Sequence, residues 1–168
     1  MPLRYTLARV DADLAAGRVP VARQRLRGLV SSFPNDLMLR RRLAEVYRLY
    51  GEPAQAGRWM YLEQDRDAAE TSAFEARYHT AQQRMRALAW QGRESLARTD
   101  FAREQLAAVR AACSDDMGRP VDWDTMPSGE NGRSSRSPLA NFLAQAGCLV
   151  TALAFIAIWV NGLVALFD

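Results

Sequence analysis

The sequence predicts an all-α fold in which three helix-turn-helix hairpins precede a linker and one C-terminal transmembrane helix. In the first two thirds of the chain, apolar residues recur with the period of an amphipathic helix. Glycine and proline interrupt that period at the places where helices would end or begin. From Leu139 to Phe167 there is no charged side chain, and a stretch of about 20 apolar residues is long enough to cross a bilayer as a helix.

Composition divides the chain into three parts. Residues 1–113 are rich in Ala, Leu, Arg and Glu, residues 114–138 in Asp, Pro, Gly and Ser, and residues 139–168 are almost wholly uncharged. We therefore predict a helical domain, a flexible linker and a transmembrane anchor over these ranges. A buried core helix is the alternative for the last range, but a chain of 168 residues has no large core that would hide it.

Apolar spacing and helix-ending residues predict five helices before residue 91. They are residues 3–16, Val19–Phe33, a helix that Asn35 or Asp36 caps and that runs to Tyr50, Pro53 to about Arg66, and about Ala68 to Trp90. Pro20 and Pro53 fall in first turns, where the missing amide N–H breaks no helical hydrogen bond. Gly17 and Gly51 end the preceding helices.

A spacing of glycine, an alanine five residues on and a large apolar residue nine on occurs three times. The three sets are Gly17/Ala22/Leu26, Gly51/Ala56/Met60 and Gly92/Ala97/Phe101. The first two glycines lie 34 residues apart, and the third follows after 41. Since glycine permits a tight return and alanine a close approach of two helices, the pattern predicts three hairpins, the third with a longer first helix.

This period and spacing resemble the tetratricopeptide repeat. The second unit carries the likeness best, through Leu43, Ala44, Tyr47, Gly51 and Ala56. The resemblance implies stacked hairpins that bind a protein partner in a groove lined by the first helix of each hairpin. The chain also resembles a group of short actinobacterial membrane-anchored proteins, through the stretches LARVDADLAAG, LRRRLAEVYRLYGEPAQAGRWMYLE and LARTDFAREQLAAVRA. That second likeness implies no activity.

Three charged residues on the third helix are candidates for binding a partner. Arg41, Glu45 and Arg48 fall at i, i+4 and i+7, on the face that the resemblance places in the groove. Arg41 and Arg48 could bind a carboxylate or an acidic peptide as bidentate donors. The alternatives are a solvated face with a Glu–Arg pair, or contact of the triplet 40–42 with anionic lipid.

The uncharged C-terminal run also carries residues suited to contact with another transmembrane helix. Gly147 and Thr151 form a small-xxx-small pair, and Gln145 or Asn161 could hydrogen-bond across such a contact. The contact would be made with a partner protein's helix or within a homo-oligomer. A monomeric anchor is the alternative.

The charges that flank this run predict its orientation. Arg133 and Arg136 precede it, whereas only Asp168 follows it. The positive-inside rule then keeps the N-terminal domain in the cytoplasm and sends the C-terminus outside. We predict a tail-anchored, single-pass protein of a bacterial plasma membrane.

Several function classes find no support in the sequence. It has no Gly-rich phosphate loop and no nucleophile elbow, and His79 is its only histidine, so we predict neither an enzyme nor a cofactor or metal site. A net charge of +3 is too small to indicate nucleic-acid binding. Cys113 and Cys148 belong to different environments, which fits a reducing compartment.

The predicted function is that of a membrane-tethered, non-enzymatic adaptor or scaffold, which binds a protein partner through its helical surface. The alternative is a small accessory subunit of a larger transport, respiratory or secretion complex, held mainly by its transmembrane helix. Within the predicted linker, the stretch VDWDTMP places Trp123 between two aspartates. It would be a short partner motif, plain linker, or a segment that folds back on the domain.

Overall fold

A computed structural model describes residues 3–125, which form seven α-helices and a short 3₁₀ turn. The helices are α1 (Leu3–Ala15), α2 (Val19–Ser32), α3 (Leu37–Leu49), α4 (Pro53–Met60), α5 (Ala68–Arg77), α6 (Ala81–Leu88) and α7 (Asp100–Met117). No strand occurs in residues 3–125, so the all-α prediction is confirmed for that range. The predicted anchor lies outside it. Among the helices of the described range, none has the length and apolar character needed to cross a membrane.

The first three helices begin and end within one residue of their predicted positions, and local chemistry explains why. Asp36 caps α3, since its carboxylate accepts hydrogen bonds from the amides of Met38 at 2.9 Å and Leu39 at 3.2 Å. Gly17 and Gly51 adopt φ of 70° and 64° after α1 and α3, a conformation that costs glycine little. Proline lies in the first turn of both α2 and α4.

The fourth helix is shorter than predicted. It ends at Met60 rather than near Arg66, because Tyr61 and Leu62 turn into the core formed with the following helices, where they are 6% and 1% exposed. Asp67 then caps α5 by accepting a hydrogen bond from the amide of Glu70 at 2.8 Å.

The single helix predicted over about residues 68–90 is wrong, since the structure divides it into α5 and α6. Thr80 starts α6 with a capping box, in which its hydroxyl accepts from the Gln83 amide at 3.1 Å. The Gln83 side chain in turn accepts from the Thr80 amide at 3.4 Å. The amides of Gln83 and of the cap residue Thr80 thus have partners at a break that the apolar spacing does not indicate.

The third glycine–alanine set does not repeat the geometry of the first two. Ala22 and Ala56 lie inside the helices that follow their glycines. Gly92 also has a positive φ, of 77°, but Ala97 falls after a 3₁₀ turn at Glu94–Leu96, before α7 begins. The tetratricopeptide likeness therefore stays a prediction for the first two hairpins, and the third departs from it.

Two clusters of buried side chains form the core. The first cluster is formed by the four helices α1, α2, α3 and α4. It contains Val10, Ala22, Leu26, Leu29, Val30, Leu39, Leu43, Ala44, Val46, Tyr47, Ala56, Trp59 and Met60. The second joins the end of α4 to the later helices and contains Tyr61, Leu62, Phe74, Ala81, Met85, Ala87, Leu88, Trp90, Ala97, Ala102, Leu106, Val109, Cys113, Val121 and Trp123. Burial of this apolar surface is the main term that stabilises the helices.

The folded unit extends beyond the predicted boundary at residue 113. Helix α7 continues to Met117, and Gly118 ends it with φ of 62°. The chain then folds back, burying Val121 and Trp123 at 6% and 3% exposure. The Trp123 indole N–H donates to Glu94 Oε1 at 3.1 Å. The first part of the predicted linker is therefore domain, because its apolar side chains complete the second cluster.

A buried carboxylate ties α1 to α2 and makes stability depend on pH. Asp13 is 5% exposed and accepts hydrogen bonds from Arg25 Nε at 2.7 Å and from Arg18 Nη2 at 2.8 Å. Hydrogen bonds first from Arg25 and then from Arg18 lower the pKa of Asp13 below its ordinary value of 3.8. The unfolded chain therefore takes up this proton at a higher pH than the folded chain.

We expect the contribution of Asp13 to be complete above about pH 4 and lost as the pH falls through its lower folded pKa. Thermal melting of the full-length chain in detergent, followed by circular dichroism from pH 7 to pH 2, measures this. The Asp13→Asn variant should melt at a lower temperature at pH 7, and the difference from the parent should shrink in acid. An unchanged difference across the range would contradict the assignment.

Candidate partner-binding face

Four side chains at i, i+4, i+7 and i+11 run along the outer side of α3, next to the exposed Arg48. Met38 and Leu49, at the two ends, are 60% and 67% exposed. The half-buried Arg42 and the exposed Glu45 lie between them and carry opposite charges. Residues at this spacing share one face of a helix, so we call these four residues the α3 stripe. The opposite side of the helix is buried in the first cluster.

The predicted binding residue Arg41 lies beside the α3 stripe and is held by carboxylates of the chain itself. Its guanidinium donates to Asp65 at 2.6 and 2.8 Å, a bidentate arrangement, and to Glu63 at 3.1 Å. Asp65 first, and then Glu63, raise the pKa of Arg41 above its ordinary value. The same contact lowers the pKa of Asp65.

Arg48, the second predicted donor, has a similar partner on α5. Its Nε donates to Glu70 Oε1 at 2.6 Å and its Nη2 to Oε2 at 2.8 Å, and this hydrogen bonding raises the pKa of Arg48. On the other side of α3, Arg42 Nη2 pairs with Asp11 of α1. These ion pairs link α3 to α1 on one side and to α5 on the other. The sequence predicted that Arg41 and Arg48 would bind the carboxylates of a partner. In the structure, carboxylates of the chain itself bind them.

Glu45 differs from Arg41 and Arg48 in having no charged partner within hydrogen-bonding distance. It is exposed and makes no hydrogen bond or ion pair in the structure, and its charge acts on Arg48 only at longer range. The predicted set Arg41, Glu45 and Arg48 thus lies on one exposed side of α3, with the two arginines engaged and the glutamate available. Binding of a partner by these residues stays a prediction.

The arginine triplet 40–42 does not present one cationic surface. Arg40 is 0% exposed and points into the protein, Arg41 reaches the α4–α5 connection, and Arg42 reaches α1. The alternative interpretation, contact of the triplet with anionic lipid, is therefore wrong for Arg40. Successive residues of a helix are turned by about 100° from one another, which separates the three side chains.

Arg40 is the residue that sequence reasoning missed. Its Nε donates to the Pro34 carbonyl at 2.7 Å and its Nη2 to the Leu88 carbonyl at 2.8 Å. Its guanidinium carbon lies 5.5 and 5.6 Å from the ring centres of Trp59 and Trp90. Burial first, and then the charge of Arg58, lower the pKa of Arg40 to about 9, so it remains a cation at neutral pH.

The C-terminal end of α6 accounts for the tolerance of this buried charge. Arg40 binds the carbonyl of Leu88, and Arg58 Nε binds that of Ala87. The last carbonyls of a helix carry partial negative charge and favour cations, and the two indole faces add cation–π attraction. A single arginine of α3 therefore joins the first core cluster to the second.

Other candidate chemistry is sparse in residues 3–125. An open cleft of about 360 Å³ lies beside the Arg41 ion pairs and is lined by Glu63, Gln64, Asp65 and Thr99. His79 is exposed, and the described part contains no group of three or more His, Cys, Asp or Glu residues arranged to hold a metal ion.

The predicted helix-contact residues Gln145, Gly147, Thr151 and Asn161 lie outside the described range.

A family model matches the chain from residue 1 to residue 168. The chain belongs to DUF6584, a family of unknown function. The DUF6584 match spans both the helical unit and the uncharged C-terminal run. No curated protein and no solved structure matches the chain.

Proposed function

We propose that this DUF6584 protein is a membrane-tethered, non-enzymatic adaptor that binds another protein through the exposed side of α3. The observation that carries the proposal is the exposure of Met38 and Leu49 at the ends of the α3 stripe. They are the most exposed large apolar side chains in residues 3–125, ahead of Leu96 at 57%. Apolar side chains exposed to water on a rigid helix gain free energy when a protein interface buries them.

The ion pairs around α3 support this assignment. Arg42–Asp11 and Arg48–Glu70 link α3 to α1 and to α5, so the α3 stripe lies on an ordered helix rather than on a loop. Less conformational entropy is then lost on binding. The tetratricopeptide likeness of the first two hairpins agrees with this use of α3, since the family's groove is formed by the first helix of each hairpin.

The uncharged run over residues 139–167 is the proposed tether. It is longer than the roughly 20 residues that a bilayer crossing needs. With Arg133 and Arg136 before it, the helical unit would face the cytoplasm. The alternative function, an accessory subunit of a larger membrane complex, is favoured by Gly147 and Thr151, whose spacing suits contact between transmembrane helices.

A site-specific photo-crosslinker tests the adaptor proposal. We expect a crosslinker at position 49 of the full-length chain, activated in native membranes, to give a protein adduct. The same crosslinker at Ala112, an exposed residue of α7, should give none. Equal labelling at both positions, or none at either, would contradict the proposal.

Deletion of residues 139–168 separates the two functions. The adaptor predicts that the shortened chain leaves the membrane fraction and still forms the position-49 adduct with added partner. The accessory subunit predicts that the adduct is lost while circular dichroism still reports folded helices. Full-length protein found in the supernatant after detergent-free ultracentrifugation would contradict the tether itself.

A further inference from the structure

We propose that the α3 stripe binds a second copy of itself, forming an antiparallel, two-fold symmetric dimer. This inference rests on the proposed function, because it takes the exposed side of α3 as a protein-binding surface and names its partner. The order of the four side chains carries it. Along α3 they are apolar, positive, negative and apolar, namely Met38, Arg42, Glu45 and Leu49.

An antiparallel pairing of two α3 helices matches this order with itself. The two-fold axis would cross the helices at the level midway between residues 43 and 44. Met38 of each copy then lies opposite Leu49 of the other. Arg42 of each copy then lies opposite Glu45 of the other. A two-fold interface requires the same patch on both copies to be self-complementary, and the α3 stripe meets that requirement in both polarity and charge.

The state of the two charged residues in one copy favours this partner. Glu45 has no hydrogen bond or ion pair of its own. Arg42 uses only Nη2 for Asp11, and the structure gives no acceptor to its Nε or Nη1. Each copy therefore offers a free carboxylate and free guanidinium N–H groups, and the symmetric contact would form two such pairs.

Exposure of the apolar ends favours a flat partner over a peptide held in a deep groove. Met38 and Leu49 are 60% and 67% exposed, so neither is recessed between α1 and α5. They are eleven residues apart, or about 16 Å along the helix axis, and a second α3 presents the same separation. One helix from each copy gives a small interface, so we expect a reversible dimer whose population rises with concentration.

Most of the acidic charge beside the α3 stripe is balanced within the chain. Arg41 pairs with both Glu63 and Asp65, and Arg48 pairs with Glu70, so these five residues carry a net charge of −1. An acidic peptide would meet this excess of negative charge, and Arg42 already pairs with Asp11 through Nη2. A second copy instead brings one arginine for each free glutamate.

Charge reversal in the full-length protein tests the inference by sedimentation equilibrium in a density-matched detergent. We expect the parent chain to dimerise reversibly. Glu45→Arg places arginine opposite arginine, and Arg42→Glu places glutamate opposite glutamate, so each variant alone should raise the dissociation constant about tenfold or more. An equimolar mixture of the two should recover the parent's affinity, because the mixed pair has opposite charges at both contacts.

The matched control is Glu104→Arg, the same charge change on the exposed side of α7, which should leave the dissociation constant unchanged. Circular dichroism checks that every variant is folded. A parent chain that is monomeric at every concentration overturns the inference. So does a dimer that neither reversal weakens, which would indicate association through the C-terminal run, and so does failure of the mixture to recover affinity. If the inference fails while position 49 still crosslinks to a different protein, the adaptor function stands.

Discussion

Replacing Gly57 by alanine is expected to destabilise the protein by about 3 kcal/mol or more. Gly57 lies in α4 where that helix meets α5. A Cβ atom there would stand 2.0 Å from the carbonyl oxygen of Glu70 and 2.5 Å from its carbonyl carbon. Both atoms belong to backbone, so no side-chain rotation relieves the overlap and α5 must move away. Because Glu70 also binds Arg48, the shift would weaken that ion pair.

Gly28→Ala is the matched control for this variant. Gly28 lies inside α2, and an added Cβ would meet nothing within 4 Å. Alanine there should stabilise the protein by about 0.5–1 kcal/mol, because glycine loses more backbone entropy in a helix. Thermal melting of the two full-length variants in detergent compares them. Equal effects would show that the approach of α4 and α5 is not as close as the structure has it.

Replacing Arg40 by alanine is expected to cost about 3–4 kcal/mol of unfolding free energy. The change removes the donor from the buried carbonyl of Leu88, at about 1–3 kcal/mol, and from the part-buried carbonyl of Pro34, at a smaller cost. It also opens a cavity between Trp59 and Trp90. Removal of a buried charge offsets part of this loss, since burial penalises the charged form of Arg40.

Two further variants separate the causes. Arg40→Met keeps most of the side-chain volume and removes the charge, so it should cost only about 1–2 kcal/mol. Arg98→Ala, at an exposed position before α7, should change stability by less than about 0.5 kcal/mol. Denaturant unfolding followed by tryptophan fluorescence measures these differences, and Trp59 and Trp90 are two of the four tryptophans that contribute to the signal. A loss at Arg40→Ala no larger than that of Arg98→Ala would refute the role of Arg40 in joining the two clusters.

Local signals were enough to predict the first half of the fold. Pro20, Gly17, Asp36 and Gly51 act within a few residues of themselves, so the bounds of α1, α2 and α3 follow from the chain's immediate neighbourhood. The break before α6 also had a local signal, Thr80 followed three residues later by Gln83. Because apolar residues recur at helical spacing across residues 68–90, that spacing predicted one uninterrupted helix.

Non-local contacts decided the rest. The sequence placed Arg41, Glu45 and Arg48 on one side of α3, which the structure agrees with. Whether an arginine there is free depends on Glu63, Asp65 and Glu70, which follow about 20 residues later in the chain and reach α3 through the tertiary fold. Trp123 is a similar case, because its burial depends on Glu94 and on the second core cluster.

The sequence by itself determined the helical class, the early helix bounds and the side of α3 that faces solvent, because helix period and capping act over one or two turns. Only the tertiary structure decided which arginine is buried and which carboxylates are engaged. Arg40, Arg41 and Arg42 are identical in type and adjacent in sequence, yet one joins two cores and two bind opposite neighbours. The difference lies in the partners that folding brings to each of them.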